Sequence, residues 1–366
     1  MNIKLKNTFS GLVALTGICG IFAYNSPVRA EENMPHRNIA SYYNDKVISS
    51  EKFDNITKIM DAGAEKFKAQ KGMLVITDAS DSTIIAAYST DNSAAIEKEL
   101  FETGAIYKTF TVAMGLEDGN VKDGEAIDTS EPFIIQGIEV KDPNGSLGPL
   151  DTDDLLIDTS NFTMERIALK SGAEHQYNFF DKLGMLSEIN SDGINGVKPI
   201  YPVESEWLKG DVFVATISYG YGVSVTPLHI ISAYSAIING GKYYKPSFEK
   251  VENKEGVDVI SKENSQIMRK YLRKVVTDGN AKKANSDKYF LMGKTGTADK
   301  KSMASGKYDT KYTVSTFVGN FEHNGTDYAI LVMLDNPKAS KETYGYNTAG
   351  WNAVPIAKDI IEEFIK

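Results

Sequence analysis

The chain has 366 residues, 42% of them hydrophobic, and a formal net charge of −9. That is enough apolar material for one large domain or two smaller ones, and the acidic balance argues against a nucleic-acid partner, whose phosphates need a basic face. The only cysteine is Cys19, and four scattered histidines (His36, His175, His229, His323) lack ligand spacing, so disulfides, a thiolate nucleophile, a metal and a cofactor are all unexpected.

The N-terminus opens with Lys4 and Lys6, continues with an uncharged apolar run over 9–24, and reaches Pro27-Val28-Arg29-Ala30 before Glu31-Glu32. This is the layout of a secretory signal peptide over 1–30, cleaved after Ala30; an uncleaved membrane anchor is the alternative. Residues 31–50 are polar and read as a linker, leaving 51–366 as the folded domain. The spacing of Phe53, Ile56, Ile59, Met60 and Ala64 predicts a helix over 53–67. Two strands are predicted over 73–77 and 83–88, joined by a polar turn.

The segment 102–119, ETGAIYKTFTVAMGLEDG, carries apolar residues on almost every side of a helical wheel and predicts a buried helix. Residues 121–153 are turn-rich, 155–186 mainly helical, and 193–210 a long loop. A helix over 223–238 is opened by Thr226-Pro227, a cap with proline at the first turn, and another spans 261–276. Three strands follow over 289–297, 312–321 and 328–334, with Asn324-Gly325 turning between the last two, and a helix over 354–365 ends the chain. Strands at both ends of a helical middle predict a mixed α+β / α/β fold, an antiparallel sheet flanked by helices with a helical lobe inserted.

Three stretches carry chemistry. Lys108 stands in the buried helix, where a charge is costly without a partner or a role, although it reads equally as a lysine snorkelling from a helix edge. Asp158-Thr159-Ser160-Asn161 reads alone as a helix cap, and Gly293-Lys294-Thr295-Gly296-Thr297 as an edge strand of small residues. Their order and spacing are more specific than any one of them.

With these residues in hand, the chain resembles the serine penicillin-recognising enzymes, and over about 50–366 the class B penicillin-binding proteins of the division transpeptidase branch. Two longer stretches add to the likeness: Ile217-Ser218-Tyr219-Gly220-Tyr221-Gly222-Val223-Ser224-Val225-Thr226-Pro227-Leu228, and Val276-Thr277-Asp278-Gly279-Asn280-Ala281-Lys282-Lys283-Ala284 ahead of the Lys-Thr-Gly strand. The resemblance implies the penicillin-binding-protein transpeptidase fold. It implies a cleft that takes peptidoglycan stem peptides ending in D-Ala-D-Ala, and β-lactams that mimic them. It also implies an exported bacterial protein, in the periplasm or on the outer face of the cytoplasmic membrane, with cell-wall synthesis or divisome proteins as partners. In the family a serine attacks the stem carbonyl, and a lysine three residues on takes its proton. Carried onto this chain, Lys108 is that base. Thr159 and Asn161 match the Ser-x-Asn motif, with threonine in place of serine. Lys294 and Thr295 hold the substrate carboxylate, Gly296 lets the backbone approach, and the N–H groups of Thr297 and residue 105 form the oxyanion hole.

The match fails at the nucleophile, because position 105 is Ala105, and Thr103 stands where the family commonly has proline. The expectation is therefore a pseudoenzyme that binds but does not acylate. The alternatives are an active D,D-transpeptidase or carboxypeptidase with an unconventional nucleophile (Thr109 lies on the same side, one turn deeper), or a wall-synthesis scaffold that keeps only the fold. Class B proteins also carry a large pedestal ahead of this domain. Here only 31–50 separates signal from fold, so such a pedestal is expected to be missing or supplied by another chain.

Overall fold

The computed structural model describes residues 39–130, 148–157, 160–301 and 308–366, with the short backbone pairing of Ile134–Ile135 and Ile138–Glu139. The expected signal peptide, residues 31–38 of the expected linker and Thr159 lie outside the described residues.

The remainder of the expected linker belongs to the fold. Ser41–Tyr43 forms an edge strand, β1, too short to leave a pattern in the sequence. Its rings hold it in place: the Tyr42 hydroxyl donates to the Phe248 carbonyl at 3.1 Å, and Tyr43 stacks on Phe53. Helix α1, Ser50–Lys66, starts where the Ser49 hydroxyl accepts the N–H of Lys52, and it buries Phe53, Ile56, Met60 and Ala64. Strands β2, Lys71–Asp78, and β3, Thr83–Ser89, follow as expected.

The helical middle begins with α2, Tyr107–Glu117, preceded by a tight 3-10 turn over Gly104–Ile106. Two helices occupy the stretch expected as one helical region: α3, Asn161–Ser171, and α4, Ala173–Lys182. Gly172 parts them at φ +88°, a conformation that ends a helix readily only in glycine. The expected loop 193–210 holds a short helix, Glu204–Trp207, and α5, Asp211–Ser218, follows it without having been expected. Helix α6 spans Pro227–Ile238, and α7 spans Lys262–Thr277. The expected cap stands, with Thr226 as the N-cap accepting the His229 N–H and Pro227 in the first turn, and only 223–225 fall outside the helix. Thr226 precedes a proline and is extended (ψ 159°), and Val225 and Ser224 instead bridge to Phe101 and Ile200.

The chain returns to the sheet with β4, Leu291–Lys301, β5, Tyr308–His323, and β6, Thr326–Asp335, and ends in α8, Ala353–Phe364. Asn324 and Gly325 both take positive φ between β5 and β6, the requirement of the tight hairpin their sequence announces. The strand order is β1-β3-β2-β6-β5-β4, and every pairing is antiparallel. The central strands β2 and β6 are buried nearly throughout, which fits their continuous runs Met73-Leu74-Val75-Ile76 and Ala329-Ile330-Leu331-Val332-Met333-Leu334. Helices therefore cover both faces of the sheet. This is the mixed fold expected, with β4 as the edge strand of the sheet and largely buried.

Candidate active site

Helix α2 enters the core with residues Tyr107 through Leu116 all buried, Lys108 among them at 3% exposure. Its ring contacts explain the fit. Tyr107 lies edge-on to Phe110 and beside Phe180, and its hydroxyl is 2.9 Å from that of Tyr201. Burial raises the Tyr107 phenol well above its ordinary pKa, so the pair remains protonated and hydrogen-bonded. Trp207 stacks flat on Tyr201 and donates to the Gln176 side-chain oxygen at 2.8 Å, while Gln176 donates onward to the Val214 carbonyl. This aromatic block ties α2, α4 and α5 into one support for the cleft.

Ala105 sits in the 3-10 turn just ahead of α2, partly exposed. Asn161 is the first residue of α3, held there by the Ser160 hydroxyl accepting the Thr163 N–H at 3.2 Å. Lys294, Thr295, Gly296 and Thr297 lie on the edge strand β4, paired with Val318, Phe317, Thr316 and Ser315 of β5. One cleft of about 1240 Å³ is lined by Ala105, Lys108, Asn161 and Lys294 through Thr297. The structure thus brings together every site residue expected from the sequence that it describes.

Close backbone contact sets the geometry at the cleft floor. A Cβ on Gly296 would lie 2.2 Å from the Thr103 carbonyl oxygen, and one on Gly220 would lie 2.2 Å from the Gly104 carbonyl oxygen. Gly220 also holds φ +85°. The turn bearing Ala105 is thereby clamped between β4 and the segment after α5, and the Thr111 hydroxyl fastens the same contact by donating to the Ser218 carbonyl at 2.7 Å. Gly220→Ala is expected to destabilise the protein by about 3 kcal/mol, from strain and steric conflict together, and to lower the thermal midpoint. An unchanged melting curve would show that the clamp is slack.

Lys294 is fully buried and its ammonium donates to the Thr295 carbonyl at 3.0 Å. Desolvation pushes its pKa down to about 8. A buried cation facing a cleft is an anion site when a ligand supplies the opposite charge.

The walls hold residues the sequence reading did not select as site residues. Tyr201, Phe213, Tyr219, Tyr221, Tyr308 and Trp351 also line the cleft. Tyr221 meets Tyr308 edge-on at 5.2 Å, and the Tyr308 hydroxyl donates to the Glu102 carboxylate. Tyr219 and Tyr221 stood in a quoted motif, but nothing in the local sequence marks Trp351. Among the described residues no cluster of His, Cys, Asp or Glu could hold a metal ion, and no helix is long and apolar enough to cross a membrane.

Comparison with known proteins agrees with this geometry. The family described as the penicillin binding protein transpeptidase domain matches residues 72–362. A Caulobacter vibrioides protein described as a probable peptidoglycan D,D-transpeptidase FtsI is 29% identical over 273 residues, covering 72% of this chain and 46% of the relative. The peptidoglycan D,D-transpeptidase FtsI of Escherichia coli strain K12 is 27% identical over 292 residues, covering 75% and 48%. The chain spans about half the length of these curated relatives. Among solved structures, the transpeptidase domain of Burkholderia pseudomallei penicillin-binding protein 3 superimposes with a TM-score of 0.76 at 24% identity, covering 87% of this chain and 94% of that one. At that identity the likeness speaks for the fold.

Proposed function

The chain belongs to the penicillin-binding-protein transpeptidase family, and from that premise we propose that it is a class B, division-type wall-synthesis protein that binds D-Ala-D-Ala stem peptides and β-lactams without acylating. The observation that carries this reading is Ala105 in the cleft beside Lys108, Asn161 and Lys294, at the place where the family's chemistry needs a hydroxyl. A methyl group has no lone pair to attack a carbonyl, however well its neighbours are arranged.

The remaining groups suit reversible binding. Lys294 and Thr295 take the terminal carboxylate as a charge-assisted contact. The N–H groups of Ala105 and Thr297 receive the carbonyl oxygen, and Gly296 leaves space for the backbone. Asn161 orients the peptide, and Lys108 and Thr159, placed by the family motif to move the serine proton, have no such proton to move. Other wall-synthesis or division proteins are the partners of such a binder, acting outside the cytoplasmic membrane after export by residues 1–30.

The test is incubation of the purified exported protein with a penicillin, followed by intact-mass measurement and equilibrium dialysis. The expected result is saturable, reversible binding with no added mass. A stable covalent adduct on the unmodified chain would overturn the reading in favour of an unconventional nucleophile. Absence of any binding would leave only the scaffold.

A further inference from the structure

The cleft exceeds the ~300–1000 Å³ of ordinary ligand pockets, and two alanines fill only a small part of its 1240 Å³. It continues past Thr297 to Asp278, Lys282, Lys283, Thr348 and Trp351. Trp351 is one of two tryptophans, and the other, Trp207, is fully buried. Tyr346 lies parallel to Trp351, 9° between planes at 5.8 Å, and Tyr344 meets it at 5.2 Å. These two tyrosines are 55% and 76% exposed. Trp351 lines the cleft, and the two exposed tyrosines packed on it extend an aromatic rim outward from it.

The platform is fixed rather than loose. The Ala349 N–H donates to the Thr297 hydroxyl at 3.1 Å, which joins it directly to the site strand. The Ser315 hydroxyl and the Asn352 side chain both donate to the Asn347 carbonyl at 2.8 Å, and a Cβ on Gly350 would lie 2.6 Å from the Asn280 carbonyl oxygen. Charges of both signs line the same cleft: the exposed Lys283 ammonium stands 3.0 Å over the Trp351 ring, with Lys282 beside it in sequence, and Asp278 also lines the cleft.

We propose that this rim is a subsite for the pyranose rings of an N-acetylated amino-sugar strand. A pyranose presents a C–H face that stacks on aromatic rings and a border of hydroxyl and acetamido groups. Lys282 and Lys283 can donate to that border, and Asp278 can accept from it. Asp278 gives the border an acceptor that an anionic partner would leave unused, and a purely apolar partner would leave three charges desolvated. The inference rests on the stem-peptide reading for its biological sense, since the glycan strand is what carries the stem. The geometry of the platform stands apart from Lys294.

The probe is N,N′,N″-triacetylchitotriose, titrated by calorimetry and by indole fluorescence, beside a titration with a peptide ending in D-Ala-D-Ala. Chitotriose is expected to bind and to shift the emission of Trp351. Trp351→Ala and Tyr346→Ala should each weaken the sugar by about tenfold, the scale of one stacked ring, and by clearly more than they weaken the peptide, with Trp351→Phe recovering part of the loss. Sugar binding indifferent to all three variants, or no sugar binding by a protein that binds the peptide, overturns the subsite and leaves the stem-peptide reading intact. Sugar binding through Trp351 without peptide binding has the opposite meaning: the subsite stands and the stem-peptide reading fails.

Discussion

Ala105→Ser is expected to convert a protein that does not label with fluorescent penicillin into one that does, with a mass gain equal to the whole penicillin. In serine hydrolases, loss of the nucleophile alone costs about a millionfold in turnover, so the single oxygen dominates the comparison. The backbone around position 105 favours the gain. The turn over Gly104–Ile106 is clamped by β4 and by Gly220, and Ala105 is partly exposed in the cleft. A serine hydroxyl adds one atom at a position with open space beside it. Lys108 is one helical turn further on and lines the same cleft, where the family motif puts the base. Labelling of the Ser form alone would mean that the cleft is intact and silenced by one missing oxygen. Failure of both forms would mean that the site has changed beyond position 105, and the pseudoenzyme reading would give way to the scaffold.

Much of this site was legible because each part breaks a local rule. Lys108 interrupts an otherwise apolar helix, the Lys294–Thr297 strand places a cation and a glycine where a β-branched residue packs better, and Ser160 announces a helix start beside Asn161. What was not legible is fixed by tertiary contact. Helix α5 is apolar almost all round (Val212, Phe213, Val214, Ala215, Ile217), so no face stands out; Gln176 binding the Val214 carbonyl and Thr111 binding that of Ser218 fix it in place. Strand β1 has three residues and depends on ring contacts with Phe53 and Phe248. The opening of α6 was legible in Thr226-Pro227, a capping hydroxyl followed by a proline that suits the first turn, and only the extension back to 223 ignored that a proline at 227 disfavours helix before it. The aromatic rim draws Tyr344, Tyr346 and Trp351 from an irregular segment, where neither helical nor strand periodicity applies.

Lys294→Met is expected to make the free protein more stable and its ligand complex weaker. Burial holds the Lys294 ammonium at a pKa of about 8, against an ordinary 10.5. Keeping it charged at pH 7 therefore costs the fold about 3 kcal/mol, which an apolar side chain of similar length does not incur. The sign follows from proton counting. Between about pH 8 and 10.5 the unfolded chain retains a proton that the folded chain has released, so the Lys294 contribution makes stability rise with pH across that window and stay flat below it. In Lys294→Met that rise should vanish, with the thermal midpoint at pH 7 higher by about 5 °C. Binding runs the other way. A carboxylate-ended peptide needs the charged form, so affinity in the unmodified protein should be level below pH 8 and fall by about tenfold per unit above it, until the pKa of the bound state is reached. The variant should bind at least about 30-fold more weakly at pH 7 and show no such fall, since a charge-assisted contact is worth about 2 kcal/mol or more. Calorimetric titration with the D-Ala-D-Ala-ended peptide at pH 7, 8 and 9, beside melting curves at the same values, measures both halves. A variant that melts lower and binds equally well would show that Lys294 is a structural cation with its counter-charge inside the protein. A variant that melts higher and no longer binds would show that the fold tolerates a buried charge at this position for the sake of the ligand.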